Sequence, residues 1–344
     1  MFYVIVIIIS ILAICLELGL FNKKNPIETF ISREEPTLDI SHQFKDWSET
    51  NIRFLDSRPI AWVYIPEEIN SKTWLDFVSR RHVQDISPIS YICLETIYKH
   101  LYRDFNVVFF NQNHIDGLLK EHSHHFSKTR DNYVHNTLLK YSLLEKYGGI
   151  YIPNDTLFIK NIELLLKPYY LGYSITVLDT NLNYFDNHGV DTSILMAKQG
   201  HPIIKKCLEY VVSNLDKFQN AFSYREIMNA LYNEIIAIDG RHKHISIGLV
   251  KNSEGQYIKE SDIFSHNKLV FRDDICFVPL HLEHIDKKMN YNYIKCLTRD
   301  DIVNGNMELS RLSRTGLNIP VNIDTELGDS NFYAYGKLGV VSSN

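Results

Sequence analysis

Short apolar runs alternate with helical patterns in the first half of the chain. Residues 60–65 and 106–110 are dominated by β-branched, aromatic and aliphatic side chains, and each run is short enough to be a buried strand. Helical stretches at 89–102 and 115–119 follow these two runs. Strand, helix, strand and helix in this order predict a parallel sheet covered by helices.

The clearest helical pattern spans residues 131–147. Val134, Leu138 and Tyr141 form one apolar stripe, and further leucines widen it until most of the circumference is apolar. Gly148 and the glycine after it predict the end of the helix, because glycine readily adopts the left-handed conformation of a helix terminus. The Ile-Tyr-Ile segment that follows, up to Pro153, is typical of a buried strand.

The remaining pattern predicts further elements and a weakly structured end. The predicted strands and helices are strands at 173–178, 193–197 and 275–279, and helices at 203–215 and 224–236. After about residue 304 the periodicity fades, which predicts a polar C-terminal tail over 304–344.

The N-terminus differs in character from the rest of the chain. Residues 2–21 form an almost continuous apolar run in which Glu17 is the only charge, close to the ~20 residues that a helix needs to cross a bilayer. A single-pass membrane anchor over 1–22 is therefore expected, and a cleaved signal peptide is the alternative. Lys23 and Lys24 follow the run, which favours a cytoplasmic body under the positive-inside tendency.

Two regions complete the predicted organisation. Residues 23–56 are polar with scattered prolines, which predicts a stalk or linker. Residues 57–303 are expected to form one α/β domain, and 45% hydrophobic content in 344 residues is enough for a large core.

Charge and cysteine content narrow the function classes. The net charge of −5 is spread along the chain without a basic stripe, so nucleic acid is not an expected partner. The five cysteines lie far apart and show neither metal-ligand spacing nor a disulfide pattern, so they are expected to be small buried side chains.

Residues 136–155 carry the most informative motif. They read as a Leu-Leu-Lys helix, then Leu-x-x-Tyr-Gly-Gly, then a strand ending in Pro-Asn-Asp. This segment resembles the central motif of DXD-type glycosyltransferases of the GT-A class, including capsular-polysaccharide enzymes. Residues 191–202 are similar to a later strand and its Gly-His-Pro turn in that family, so the resemblance covers roughly 58–215. The chain also looks similar to membrane-anchored proteins of large DNA viruses that share the Tyr-Gly-Gly junction and lack the DXD triplet.

The resemblance implies a fold and a function. The implied fold is a GT-A-like α/β domain with a mixed, mainly parallel sheet flanked by helices, preceded by one N-terminal transmembrane helix. The implied function is transfer of a hexose from a nucleotide-diphosphate sugar to a glycan or lipid-linked acceptor. The alternative is a catalytically inactive GT-A-like structural or binding protein of a membrane or virion.

The resemblance also assigns candidate site residues, with several departures from the family pattern. Pro153 stands at the first position of the triplet, so Asp155 is the remaining carboxylate, expected as a metal ligand and catalytic group, with Asn154 beside it as a donor-binding residue. The family's acidic residue and arginine on the preceding helix correspond to Thr137 and Lys140.

Two more candidates lie outside that segment. Asp191 is the second catalytic candidate, as a general base on the acceptor side, and Tyr64 in the first strand is the further donor-binding candidate. The expected cofactor is Mn²⁺ or Mg²⁺ bridging the donor diphosphate, and the alternative is a metal-independent site in which Lys140 or Lys160 contacts the phosphates.

The predicted membrane anchor leads to a testable prediction about cell fractionation. The full chain is expected to remain in the membrane pellet after a sodium carbonate wash, because a spanning helix is removed only when the bilayer is dissolved. Release into the supernatant, with a peripheral membrane protein as the washed-off reference, would contradict a spanning segment.

Overall fold

The protein was analysed as a computed structural model that describes residues 47–66, 87–126, 129, 132–179, 190–219, 231, 240–282, 293–294 and 297–320. The strands are β1 Ile60–Tyr64, β2 Asn106–Phe110, β3 Gly149–Pro153, β4 Thr156–Phe158, β5 Ser174–Asp179, β6 Val190–Ala197, β7 His242–His244 and β8 Phe277–Pro279. The helices are α1 Glu49–Ile52, α2 Pro88–Leu101, α3 Gln112–Leu118, α4 Ser123–Phe126, α5 Asn132–Lys146, α6 Leu166–Tyr170, α7 Pro202–Ser213, α8 Leu215–Gln219, α9 Glu260–Ile263, α10 Arg299–Asn304 and α11 Glu308–Leu317.

A mixed, mainly parallel sheet organises the described residues. Its six strands follow the order β2-β1-β3-β6-β5-β7, and β6 pairs antiparallel with both of its neighbours while the other pairings are parallel. A second sheet pairs β4 with β8. The predicted α/β class and the predicted strands 60–65, 106–110 and 150–152 are therefore confirmed.

Local sequence signals explain where the helices begin. Ser87 caps α2 by accepting the Ser90 amide, and Pro88 occupies the first helical position, where a missing N–H costs nothing. His201 caps α7 in the same way through its Nδ1, which accepts the Ile203 amide at 3.2 Å.

The junction between α5 and β3 depends on two glycines and a tryptophan. Gly148 and Gly149 have φ angles of +70° and +101°, and a Cβ atom on Gly149 would collide with the Ile60 carbonyl oxygen. The Trp62 indole donates a hydrogen bond of 2.8 Å to the Gly148 carbonyl. The close backbone approach places β3 directly against β1.

Two clusters of buried side chains lie around the sheet. The first joins α5 and α7 to strand residues such as Trp62, Tyr64 and Tyr151. The second joins α2 to β4, β8, α10 and α11. The connection from β1 to β2 contains α2, and the connection from β2 to β3 contains α5. These two connections cross the sheet in opposite directions, so right-handed crossovers place α2 and α5 on opposite faces.

The ends of the domain differ from the sequence-based boundaries. Trp47 and Ile52, within the predicted stalk, are buried in the first cluster. The predicted tail begins with α11, whose Leu309 and Leu312 are fully buried against the second cluster. The periodicity of α11 was missed because its buried positions include serines and a glycine as well as leucines.

Contacts from α2 fix the C-terminal end of α11. Lys99 Nζ donates to the Leu317 carbonyl at 2.7 Å, and His100 Nε2 lies 2.8 Å from the Gly316 carbonyl. Side chains of this type satisfy the carbonyl groups that a helix end leaves without intrahelical partners. Residues 304–317 therefore belong to the folded domain.

Two predicted helices lie almost entirely outside the described residues. The predicted membrane helix at 1–22 and the predicted helix at 224–236 lie outside the described residues, except for Leu231 in the latter. Within the described ranges, no helix combines the length and the apolar character needed to span a bilayer.

The tight junction predicts a sharp difference between two glycine substitutions. Gly149→Ala should lower the free energy of unfolding by about 3 kcal/mol or more, since it adds an overlap with Ile60 to a left-handed backbone conformation. Gly255→Ala is the matched control, with φ of +79° and open space around the added Cβ, and should cost about 1–2 kcal/mol. Urea denaturation measures both, and equal losses would show that the contact with Ile60 is unimportant.

Candidate functional site

The carboxyl ends of β1, β2 and β3 meet at one edge of the sheet, here called the carboxyl edge. The strand order places β1 between β2 and β3, so the chain connections from β1 to β2 and from β2 to β3 cross the sheet in opposite directions. Open parallel sheets bind ligands outside the carboxyl ends of their strands at such a switch point. Because β6 runs antiparallel, its first residues lie at the same edge.

Tyr64 ends β1 at the carboxyl edge, Tyr151 lies within β3, and Asp155 follows the end of β3. The Tyr64 hydroxyl donates to Gln112 Oε1 at 3.1 Å, just beyond the end of β2. Tyr151 is 5% exposed, and burial raises the pKa of its hydroxyl well above the ordinary value, with smaller contributions from Tyr64 and Asp155. The predicted residues Tyr64 and Asp155 thus lie at the carboxyl ends of the paired strands β1 and β3, near a buried tyrosine of β3 that the sequence interpretation did not single out.

Asp155 holds a neighbouring backbone segment. Its Oδ2 accepts a hydrogen bond of 3.1 Å from the Leu282 amide, and its backbone carbonyl accepts one of 3.0 Å from Leu280. His281, between these two residues, has a left-handed φ of +49°. Asp155 is half-buried, and so is Asn154 in the same turn between β3 and β4.

Lys140 and Asp191 form a second group, where α5 crosses the start of β6. Lys140 is 2% exposed, and its Nζ donates to the Thr192 carbonyl at 2.7 Å. Burial lowers the pKa of Lys140 from 10.5 to about 8, and the negative charge of Asp191 opposes this shift. Asp191 is 8% exposed, and its Oδ1 accepts the Ser193 amide at 2.7 Å.

Several buried polar atoms on α5 have no hydrogen-bond partner among the described residues. They are His135 Nε2, Thr137 Oγ1, Tyr141 Oη and Ser142 Oγ. The Tyr141 hydroxyl lies close to Thr192 and Cys207, but without the geometry of a normal hydrogen bond. Buried polar groups of this kind are uncommon and indicate a place where water or a ligand completes the hydrogen bonding.

His135 lies next to Tyr64, with 6.1 Å between the two ring centroids, so it connects the start of α5 to the carboxyl edge. Its Nδ1 is 3.0 Å from Thr129 Oγ1, and burial lowers the pKa of the imidazole. This contact could not be predicted from the sequence, because the residues come together only when α5 packs across β1.

Another polar network at the end of β5 was also missed. Asp179 Oδ1 lies 2.7 Å from His244 Nε2, and its Oδ2 accepts the Ser246 hydroxyl at 2.9 Å. These hydrogen bonds, that of His244 first, lower the pKa of Asp179 to about 2. The partners are far apart in sequence, and parallel pairing of β5 with β7 brings them together.

The described side chains do not form a metal centre by themselves. Among these residues no three His, Cys, Asp or Glu side chains come together as a cation site. Asp155 already accepts a backbone amide, so a cation there would need most of its ligands from a bound diphosphate. The expected Mn²⁺ or Mg²⁺ site at Asp155 remains a prediction.

Comparisons with known proteins add a weak similarity in fold. No family model and no curated protein sequence matches the chain. Among solved structures, the protein described as "PaToxG Glycosyltransferase" is similar with a TM-score of 0.33 and 12% sequence identity, over 51% of this chain and 69% of that chain. A similarity at this level defines neither the site nor the activity. The sheet and its helices define a mixed α/β protein.

The buried Lys140 predicts a specific dependence of stability on pH. Folding lowers its pKa, so the unfolded chain binds more protons between pH 8 and 10.5, and the Lys140 side chain by itself should contribute a rise of about 3 kcal/mol in the free energy of unfolding across this interval. Lys140→Met should remove that rise. Lys206→Met, an exposed lysine of α7, should retain it. Chemical denaturation at several pH values tests this, and an unchanged rise in Lys140→Met would contradict the assignment.

Proposed function

We propose that the chain is a GT-A-like glycosyltransferase that binds a nucleotide-diphosphate sugar at the carboxyl edge and transfers its hexose to a glycan or lipid-linked acceptor. The observation that supports this most is the α5–Gly–Gly–β3 unit. It directs the start of a long helix and the end of β3 to the switch point of the sheet. The motif that resembles DXD-type glycosyltransferases is this same unit.

The start of α5 is the proposed diphosphate side of the site. A helix N-terminus directs free N–H groups and a partial positive charge outward, which suits an anion. His135 and Thr137, with polar atoms that have no partner among the described residues, lie in the first turns of this helix. Lys140 lies about one turn further along α5, where its buried ammonium group adds a positive charge to this part of the helix.

Tyr64 is proposed to contact the nucleoside. It ends the central strand β1 at the switch point, where its ring packs between Phe110 and His135 at centroid distances of 5.5 and 6.1 Å. An aromatic ring in this position offers a face or an edge to a base. Its hydroxyl is already oriented by Gln112.

Asp155 and Asp191 are proposed to serve the transfer step. An acceptor hydroxyl oxygen bonds to the anomeric carbon, the bond from that carbon to the diphosphate oxygen breaks, and the nucleoside diphosphate leaves with the bonding electrons. A carboxylate takes the hydroxyl proton. Asp155 is the more exposed of the two and is assigned this role, while Asp191 orients the start of β6 through Ser193.

A divalent cation is an optional part of this proposal. Bound Mn²⁺ or Mg²⁺ would neutralise charge on the leaving diphosphate, with Asp155 and Asn154 as protein ligands. In that form Asp155 would not act as the base, and Asp191 is the candidate for that role. In the metal-independent form, the charge of Lys140 and the start of α5 serve the same purpose.

One observation favours the inactive alternative, a GT-A-like binding or structural protein. Lys140 and Asp155 both make backbone hydrogen bonds, to the Thr192 carbonyl and from the Leu282 amide, which are structural roles in their own right. A protein that had lost catalysis would keep such contacts because they stabilise the fold.

Nucleotide-sugar binding distinguishes these possibilities. The full chain in detergent should show a higher melting temperature with one of a panel of UDP- and GDP-sugars, with or without Mn²⁺, because a ligand that binds only the folded state stabilises it. Asp155→Asn should retain this stabilisation and the Leu282 hydrogen bond, yet lose turnover by at least about 100-fold because the base is gone.

Asp274→Asn provides the matched control, since this exposed aspartate lies before β8 and pairs with Arg272. It should leave turnover unchanged. A panel without any thermal shift would contradict donor binding. Binding without turnover in the unaltered chain would favour the inactive alternative, and full turnover in Asp155→Asn would remove Asp155 from the reaction.

A further inference from the structure

The opposite edge of the sheet, here called the amino edge, carries exposed apolar side chains. Leu164, Tyr170 and Leu171 lie around α6, just before β5 begins, and are 45%, 54% and 66% exposed. Phe54 precedes β1 at the same edge and is 83% exposed. Large apolar side chains grouped on a surface, unlike single ones, indicate a contact with another apolar phase or molecule.

Basic side chains surround the α6 residues. Lys198 Nζ donates to the Tyr170 carbonyl at 2.8 Å, and Lys243 Nζ lies 4.1 Å from the centroid of the Tyr173 ring. Lys167 is exposed on α6 itself. Arg241 is also exposed, and its carbonyl accepts the Ser174 amide at the first residue of β5.

The start of α7 extends the same surface. His201, whose Nε2 lies 3.1 Å from the Gly172 carbonyl, fixes the start of this helix beside α6. Lys205 and Lys206 are exposed in its first turns. Glu163 is an exposed acidic side chain within the group, but the six basic residues named here outnumber it, in a chain whose net charge is −5.

We infer that the amino edge around α6 docks on the surface of an anionic lipid bilayer. Leucine and tyrosine side chains enter the interfacial region of a membrane, and lysines beside them pair with acidic headgroups while their aliphatic stems remain in contact with apolar atoms. Each basic residue near such a surface adds about 1 kcal/mol of attraction.

The combination of basic and exposed apolar side chains favours a lipid bilayer over a nucleic acid as the binding partner. A nucleic acid would be attracted by the lysines but gains nothing from exposed leucines, whereas a bilayer accepts both kinds of side chain. The apolar run at residues 2–21 is a separate sequence feature that would keep the domain near a membrane. Docking by the amino edge directs the carboxyl edge away from the bilayer, so within the proposed function it favours a glycan acceptor over a lipid-linked one.

Lysine labelling on nanodiscs tests the inference with the full chain. The protein is placed in discs of phosphatidylcholine with or without phosphatidylserine, and amine-reactive labelling is followed by mass spectrometry. Labelling of Lys167 and Lys243 should be about fivefold slower in the anionic discs, and high salt should reverse this. Lys217, in α8 beyond the far end of α7, is the internal reference and should label equally in both.

Two variants separate docking from other sources of protection. Leu171→Ser should restore labelling of Lys167 in anionic discs, whereas Val270→Ser, at another exposed apolar residue, should not. Equal labelling in both kinds of disc would overturn the inference. The inference would also be overturned if, in detergent without lipid, labelling became slower as the protein concentration increased. That result would indicate contact between copies of the chain. Slower labelling on addition of RNA but not of lipid would assign the surface to nucleic acid instead.

Discussion

The close approach of Gly149 to the Ile60 carbonyl is the contact on which the arrangement of the sheet depends. It allows β3 to pair with β1 along its whole length, and the Trp62 indole secures the adjoining turn through the Gly148 carbonyl. Were β3 displaced from β1, the switch point would open and the start of α5 would lose its position beside Tyr64. The first buried cluster, the carboxyl edge and its tyrosines all follow from this one backbone contact.

Several of the polar candidate residues also make hydrogen bonds that stabilise the fold. Lys140 and Asp191 lie where α5 crosses β6, and Asp155 secures the segment before Leu282, so these three candidate residues each have a hydrogen-bond partner in the fold. Of the polar atoms of α5 that have no partner among the described residues, those of His135 and Thr137 lie in the first half of the helix. A site of this design combines a rigid framework with a few unsatisfied groups at the position where a ligand would enter.

Much of the sheet could be predicted from the sequence because its strands are buried on both faces. Runs such as residues 107–110 are apolar throughout, and the Tyr-Gly-Gly junction has a definite stereochemical meaning. The short strand β7 was not predicted, since its two histidines give no apolar pattern and its pairing comes from distant residues of β5. The hydrogen bond between Asp155 and the Leu282 amide was likewise beyond sequence reasoning, because it joins residues far apart in the chain. Helix α11 was missed because serines occupy buried positions in it.

The position of α11 has a consequence for biosynthesis. The second buried cluster needs Leu312 and Leu317, which are among the last residues of the domain to be made, to cover α2 and β4. During translation the strands of the main sheet emerge well before this cover, so Leu157 and its neighbours stay exposed until the ribosome has released residue 317. The nascent domain therefore passes through a stage with a paired sheet and one uncovered apolar face, in which it depends on chaperones or on the speed of the final steps of synthesis.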